Sequence, residues 1–111
     1  RKIEKARIYM KEHVGENISV EQLAADLNIS YSWFRKAFRE YTGYATCKYF
    51  QELRIQRAKQ MLVGTPLSAK EIAVELGYGS AEYFYCMFKK STGLTPHEYR
   101  SYGHVPDTSG G

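Results

Sequence analysis

The residues of this sequence that could do chemistry are polar and basic side chains at the spacing of one helix face. They are Ser32, Arg35, Lys36 and Arg39. Positions i, i+3, i+4 and i+7 of a helix point the same way. Arg35 or Lys36 could donate hydrogen bonds to guanine O6 and N7, whereas Arg39 is better placed for a phosphate. The competing interpretation is a merely solvated face, which is the usual state of basic residues on a helix.

The distribution of charge indicates an anionic partner more strongly than the total does. The net charge is +4 and the pI is about 9.1. Residues 31–63 contain seven basic and two acidic residues, a net charge of +5, so the remainder of the chain carries −1. This local excess of positive charge favours a polyanion such as nucleic acid.

The sequence does not indicate catalysis or metal binding. Three histidines, His13, His97 and His104, stand alone, and Cys47 and Cys86 lack metal-ligand spacing or a base within a recognisable motif. We therefore predict no catalytic residue, no metal and no cofactor, and we interpret both cysteines as reduced thiols of a cytosolic protein. The alternatives left open are a redox role for Cys86 and a nucleic-acid repair enzyme that has acquired this domain.

The beginning of the chain carries no signal peptide, and no long apolar run follows it. The first residues, Arg-Lys-Ile-Glu-Lys, already fit a helical pattern. We therefore expect the chain to be part of a longer protein.

Helical periodicity and capping signals predict an all-α fold of about seven helices with no strand. The expected caps are Ser19, Ser30, Ser68, Ser80 and Thr95. The predicted helices extend over about residues 3–14, 19–27, 30–41, 46–63, 68–76, 80–91 and 95–102. The residues that follow predict a disordered tail.

The sequence contains an internal repeat. Residues 18–27 read Ile-Ser-Val-Glu-Gln-Leu-Ala-Ala-Asp-Leu, and residues 67–76 read Leu-Ser-Ala-Lys-Glu-Ile-Ala-Val-Glu-Leu. Matching residues lie 49 positions apart before the turn and 50 after it, so the second turn has one extra residue within 77–79. A short helix, a tight turn and a second helix form a helix-turn-helix, whose second helix enters the major groove. Two such units indicate two contacts on a repeating partner, for which duplex DNA is the obvious candidate.

The second helix of each unit also has a predicted buried face. In the first unit this face comprises Phe34, Ala37, Phe38 and Tyr41. In the second unit it comprises Phe84, Met87 and Phe88, while Glu82, Tyr85, Cys86 and Lys89 point outward. Trp33 could stack on a sugar, but we favour packing beneath its helix.

The sequence resembles the DNA-binding domain of the AraC/XylS family of bacterial transcription regulators, from about Ile3 to Arg100. The strongest match is Ile72-Ala73-x-x-x-Gly77-Tyr78 followed by Tyr83-Phe84-x-x-x-Phe88-Lys89-Lys90-x-x-Gly93-x-Thr95-Pro96-x-x-Tyr99-Arg100. The resemblance implies two helix-turn-helix lobes, residues 1–45 and 64–102, joined by a linker helix over residues 46–63. The composition of residues 103–111 predicts the disordered tail. The base-contacting positions of the family correspond to Ser32, Arg35 and Lys36 in the first lobe and to Ala81, Glu82 and Cys86 in the second.

One residue departs from the family pattern. The family commonly has Arg where this chain has Cys86, and a thiol cannot make a bidentate contact to guanine. We therefore predict that the first lobe supplies most base discrimination, while Lys89 and Lys90 anchor the second lobe to phosphates. Glu82 could accept from a cytosine amino group or repel phosphate. The predicted DNA-contacting residues are Ser30, Tyr31, Ser32, Arg35, Lys36, Arg39, Ser80, Ala81, Glu82, Tyr85, Cys86, Lys89 and Lys90.

The predicted linker helix carries two arginines within a broad apolar stripe. The stripe comprises Phe50, Leu53, Ala58, Met61 and Leu62. Because an unpaired buried charge is strongly destabilising, Arg54 and Arg57 are expected to pair with carboxylates. We predict that they clamp the lobes to the linker through Asp26 and Glu75, which occupy equivalent places in the two copies.

The resemblance also implies partners. These are double-stranded DNA of a promoter or operator, a sensor or dimerisation domain upstream of Arg1, and RNA polymerase; no small molecule is expected to bind this domain. The expected location is the cytoplasm, on DNA, although the parent protein could be membrane-anchored. The alternative function is a helix-turn-helix module that binds protein, and the basic face of Arg35, Lys36 and Arg39 counts against it.

Overall fold

The computed structural model describes residues 1–103, and within them every regular element is an α-helix. The helices are α1 (Lys2–Glu12), α2 (Val20–Asp26), α3 (Tyr31–Thr42), α4 (Thr46–Gly64), α5 (Ala69–Glu75), α6 (Ala81–Thr92) and α7 (Pro96–Gly103). The predicted all-α fold of seven helices is confirmed. Over the same residues, no helix has the length and apolarity needed to cross a bilayer.

The helices end within one or two residues of the predicted positions, and the ends of α1 and α7 show why they differ. Helix α1 ends at Glu12, two residues before the expected end, although Val14 is buried. Helix α7 includes Gly103, which was assigned to the tail. A Cβ atom on Gly103 would lie 2.7 Å from Cγ2 of Val63, so glycine allows this close approach. The remainder of the predicted tail, residues 104–111, lies outside the described residues.

The chain divides into two compact units, Arg1–Arg54 and the part that begins at Ile55, so the division falls inside α4. The first helix of the first unit buries Ile3, Ala6 and Met10. The second half of α4 buries Ile55, Ala58 and Leu62 at the same spacing, 52 positions later. The repeat therefore extends to the first helix of each unit, which the sequence comparison did not detect.

Helix α4 has two buried faces, not the single stripe that the sequence predicted. Tyr49, Phe50 and Leu53 pack against the core of the first unit. At about 100° per residue, the buried Ile55, Ala58 and Leu62 lie on another face. Each half of the helix thus completes the core of its own unit, and the predicted stripe merged the two faces.

The two helix-turn-helix turns differ in length by one residue, Gly79. The N–H of Ile29 donates to the Ala24 carbonyl at 3.1 Å, and the N–H of Tyr78 donates to the Ala73 carbonyl at 3.0 Å. Both pairs are equivalent at an offset of 49, so the extra residue comes after Tyr78. The left-handed turn position holds Asn28 (φ 61°) in the first unit and glycine (Gly77, φ 78°) in the second, two residue types that tolerate it.

Capping boxes begin two helices of the second unit. The Ser68 hydroxyl accepts from the N–H of Glu71, whose carboxylate accepts from the Ser68 N–H at 2.8 Å. Thr95 and Glu98 make the same reciprocal pair. These main-chain hydrogen bonds lower the pKa of both carboxyl groups. In the first unit, Ser19 accepts from the Gln22 N–H as predicted, but the Gln22 side chain donates to Asp26 instead.

Candidate nucleic-acid interface

Helix α3 buries one face and exposes the predicted contact face. The Ser30 hydroxyl caps the helix by accepting from the Trp33 N–H at 3.1 Å, and Phe34 and Phe38 are completely buried. The predicted contact residues of this unit are all exposed: Ser30, Tyr31, Ser32, Arg35, Lys36 and Arg39. The Arg35 guanidinium lies 5.5 Å from the centre of the Tyr31 ring, which can orient it on the outer face.

Two aromatic residues that were predicted to be buried on α3 are exposed. Trp33 is 52% exposed and Tyr41 is 58% exposed. The Tyr41 hydroxyl donates to Glu4 at 3.3 Å, and its ring lies 5.8 Å from the guanidinium of Arg7. The buried face of α3 is therefore narrower than the helical spacing suggested, and Tyr41 packs at its edge.

Arg7 holds helix α1 against the aromatic edge of this unit. Its Nε donates to the Tyr49 hydroxyl at 3.0 Å, and its Nη1 donates to the Glu4 carboxylate at 2.9 Å. The hydrogen bond to Tyr49 and the nearby Glu4 charge raise the pKa of Arg7, although partial burial opposes them. These contacts fix α1 relative to α3 and α4 and so support the exposed face of α3.

Helix α6 presents a similar face with different chemistry. Its exposed candidates are Ser80, Glu82, Tyr85, Cys86, Lys89 and Lys90, while Ala81 is half-buried. The predicted contact face of α3 carries three basic residues and no acidic one, whereas that of α6 mixes two lysines with Glu82. The two faces therefore differ in the hydrogen-bond donors that they can offer to base edges.

The buried aromatic side chains behind the two exposed faces have nearly the same geometry. The ring centres of Phe34 and Phe38 are 5.6 Å apart, and those of Phe84 and Phe88 are 5.7 Å apart. A tyrosine ring meets the second phenylalanine of each pair edge-on, with an interplanar angle of 84° in both units. Both helices also end on a left-handed glycine. Each unit therefore supports its outer face in the same way.

Arg54 contacts main-chain carbonyls of the segment that follows α1. Its Nε donates to the Val14 carbonyl at 2.9 Å, and its Nη2 donates to the Glu16 carbonyl at 2.8 Å. The guanidinium also lies 4.7 Å from the centre of the Phe50 ring. Arg54 thus links α4 to the segment after α1 through main-chain carbonyls, contacts that the sequence did not predict.

The other residues of the predicted clamp have different environments. Arg57 is exposed. It lies on the face of α4 that packs against the first unit, but it comes three residues after Arg54, where that unit ends. Asp26 is exposed and accepts a hydrogen bond from Gln22, and Glu75 is exposed. The prediction that Arg57 lies in a buried stripe is wrong.

Sequence reasoning did not identify the corresponding role of Arg100. Its guanidinium donates to the carbonyls of Leu62 at 2.9 Å and Thr65 at 3.1 Å, and also to that of Leu67. Arg54 follows the repeated tyrosine, Tyr49, by five residues, whereas Arg100 follows Tyr99 by one. When Tyr49 and Tyr99 are taken as equivalent positions, the two arginines differ by four residues, which is about one helical turn along the same face. A search for arginine one turn away from the strict repeat could have found it.

The structure places both cysteines at exposed positions as free thiols. In the part of the chain that the structure describes, no three His, Cys, Asp or Glu side chains are grouped so that they could hold a metal ion. The exposed faces of α3 and α6 carry the candidate side chains, which can bind by hydrogen bonding and charge.

Comparison with known proteins gives consistent relatives. A profile described as a helix-turn-helix domain matches residues 23–102. The xylose operon regulatory protein of Escherichia coli (strain K12) is 36% identical over 92 residues, which cover 83% of this chain and 24% of that protein. The structure of an AraC-type transcriptional regulator from Chromobacterium violaceum superposes with a TM-score of 0.88 at 28% identity, covering 95% of this chain and 94% of that one.

A second solved structure is a complex with DNA. It contains the DNA-binding domain of the global transcriptional factor AdpA with a target DNA. The TM-score is 0.85 at 28% identity, with 91% of each chain covered. Two helix-turn-helix units in an all-α chain define the class as a helix-turn-helix domain. The chain belongs to the AraC/XylS family of transcription regulators.

Proposed function

We propose that this chain binds double-stranded DNA sequence-specifically, as the output domain of a bacterial transcription regulator. Helices α3 and α6 enter successive major-groove faces of one site, where their outer side chains contact base edges and phosphates. The observation that carries the proposal is that α3 and α6 each expose a polar face and are supported by equivalent pairs of buried phenylalanines. The likeness to the DNA-bound domain of AdpA supports it.

The two helices contribute differently to DNA binding, because α3 supplies base discrimination and α6 supplies phosphate contacts. Arg35 and Lys36 read bases from α3, since arginine and lysine can donate to guanine O6 and N7. Cys86 cannot do so from α6, because a thiol is a weak donor. Lys89 and Lys90 hold α6 on the phosphate backbone, which supplies affinity and register but little sequence discrimination.

Selection of bound duplexes from a random pool, at a stated salt concentration, tests the function itself. We expect enrichment of a site with two parts about one helical turn apart, because each helix covers one major-groove face. Failure to enrich any sequence, together with weak binding even at low salt, would favour a helix-turn-helix module that binds protein.

Base-pair substitution across the selected site tests whether α3 supplies most of the base discrimination. We expect substitutions in the α3 half to cost about 1–3 kcal/mol each and those in the α6 half to cost less. The double variant Lys89→Gln, Lys90→Gln should reduce the salt slope by about two without changing the ranking of substituted sites. Equal losses in both halves would contradict the asymmetry.

The chain spans 24% of the length of the xylose operon regulatory protein, so the activity of the whole protein belongs to this proposal. A sensor or dimerisation domain outside the chain would control DNA binding, and contact with RNA polymerase would convert binding into regulation. The proposed location is the cytoplasm, on promoter or operator DNA. A pull-down of RNA polymerase by the DNA-bound full-length protein would test the second partner.

A further inference from the structure

The first unit has a basic groove beside α3 that the predicted interface did not include. It is lined by Arg1, Lys2, Ile3, Lys5 and Trp33, and its volume is about 560 Å³. Three of its five lining residues are cations and none is a carboxylate. The charge therefore complements an anion.

Trp33 connects this groove to the exposed face of α3. It is adjacent to Ser32 in the chain and is 52% exposed. A single exposed apolar residue is common on protein surfaces and would mean little alone. Here the indole lies beside Lys2 and Lys5 and continues the face that carries Arg35 and Lys36. An indole can pack on a sugar with its face while its N–H donates to a phosphate oxygen.

The wall of the groove that α1 provides is held in place. The Lys2 ammonium donates to the Leu27 carbonyl at 2.7 Å, which ties the start of α1 to the helix-turn-helix turn. Ile3 is 6% exposed and belongs to the core cluster that contains Phe34 and Phe38. Because Lys2 and Ile3 are fixed by these contacts, Lys5 is presented on the outer side of a positioned helix. The groove is thus preorganised beside α3, which reduces the entropy that binding would cost.

We infer that this groove binds the DNA sugar–phosphate backbone next to the major-groove face occupied by α3. Lys5 neutralises one phosphate, and Trp33 packs against the adjoining sugar. The inference rests on the proposed DNA binding, and it extends the interface of the first unit from α3 to the start of α1. The added contact is independent of sequence, because it touches no base edge.

The single tryptophan of the sequence allows a direct test without a substitution. The chain is titrated with the duplex selected from the random pool, and quenching of Trp33 fluorescence by acrylamide is measured free and bound. We expect Trp33 to lose most of its accessibility to acrylamide in the complex. In a parallel measurement, the salt slope of binding should fall by about one for Lys5→Gln.

Lys11→Gln is the matched control, since Lys11 is another exposed lysine of α1 and does not line the groove. It should leave the salt slope unchanged. If DNA binding depends on Arg35 but Lys5→Gln and Lys11→Gln have the same salt slope, the inference about the groove is wrong and the proposed function still stands. Absence of any DNA binding would instead overturn the proposed function and the groove with it. Shielding of Trp33 at rising protein concentration without DNA would assign the groove to a second copy of the chain.

Discussion

At the scale of single residues, similar side chains in one helix have different roles. Arg54 donates to the carbonyls of Val14 and Glu16, whereas Arg57, three residues later, is exposed. Position in the helix alone predicted the same role for both, because both fell within the merged stripe. Only the packing of each half of α4 separates an arginine that stabilises the first unit from one that faces solvent.

Replacement of Arg54 should therefore affect stability more than DNA binding. We expect Arg54→Ala to lower the free energy of unfolding by about 1–3 kcal/mol, because two hydrogen bonds from a charged group are lost. Arg57→Ala, the control in the same helix, should stay within about 0.5 kcal/mol. Thermal unfolding gives the stability, and the salt slope gives phosphate contacts. An unchanged melting temperature with a slope reduced by about one would make Arg54 a phosphate contact instead.

A second prediction at this scale concerns the glycine that ends α3. Gly43 has φ +84°, and neither Gly43 nor Gly64 has an atom within 4 Å of an added Cβ. We expect Gly43→Ala to cost about 1–2 kcal/mol, because an L-residue is strained in the left-handed region. Gly64→Ala, which has the same free space, should be neutral or stabilising by up to about 1 kcal/mol. Chemical denaturation of both variants would measure the difference, and equal effects would refute a backbone origin.

At the scale of helices, the two units differ in how their helices begin. The reciprocal capping boxes with glutamate start α5 and α7, both in the second unit. In the first unit, the Gln22 side chain donates to Asp26 and leaves only the Ser19 half of the box. The starts of α5 and α7 therefore depend on carboxylates that titrate in acid, whereas the start of α2 is capped by the Ser19 hydroxyl alone.

This difference predicts acid sensitivity that originates in the capping boxes. The N–H of Thr95 lowers the pKa of Glu98 below its ordinary value of 4.5 in the folded chain. A lowered folded pKa contributes stability that is present above 4.5 and is lost as the pH falls through the folded value. We expect Glu98→Gln to be less stable than the parent at neutral pH but to lose less stability in acid.

Urea denaturation at neutral pH and below pH 4.5 measures this prediction. Glu40→Gln is the control, because Glu40 is an exposed carboxylate on α3 that caps no helix. The capping explanation would fail if Glu98→Gln and Glu40→Gln lost the same stability on acidification.

At the scale of the whole molecule, each unit has its own core and both use part of α4. Phe34 and Phe38 fill the core of the first unit, and Phe84 and Phe88 are completely buried in the second. The division between the units falls after Arg54, inside one uninterrupted helix. Loss of one core therefore removes the packing of only one half of α4.

We expect Phe84→Ala to cost about 3–5 kcal/mol, since it removes a fully buried ring. Native-state hydrogen exchange should report the loss mainly in α5, α6, α7 and the second half of α4. Phe34→Ala, its repeat partner, should affect mainly α1, α2, α3 and the first half of α4. Uniform loss of protection across residues 1–103 in both variants would mean that the units unfold as one.

The sequence by itself determined the all-α class, the seven helices, the repeat and the outer faces of α3 and α6. These features depend on local signals, namely serine and threonine caps, glycine ends and the helical spacing of phenylalanines, and each signal acts within a few residues. The exposure of Arg35 and Lys36 followed from the burial of Phe34 and Phe38, because opposite faces of one helix are fixed by its periodicity.

Only the tertiary structure decided which residues each unit buries and which partners the arginines contact. The exposure of Trp33 and Tyr41 depends on how α1 packs against α3, and the two faces of α4 depend on which unit covers each half. The carbonyls that bind Arg54 and Arg100 lie 33 to 40 residues away in the chain. Helical periodicity assigns a residue to a face, but contacts between distant segments decide what covers that face.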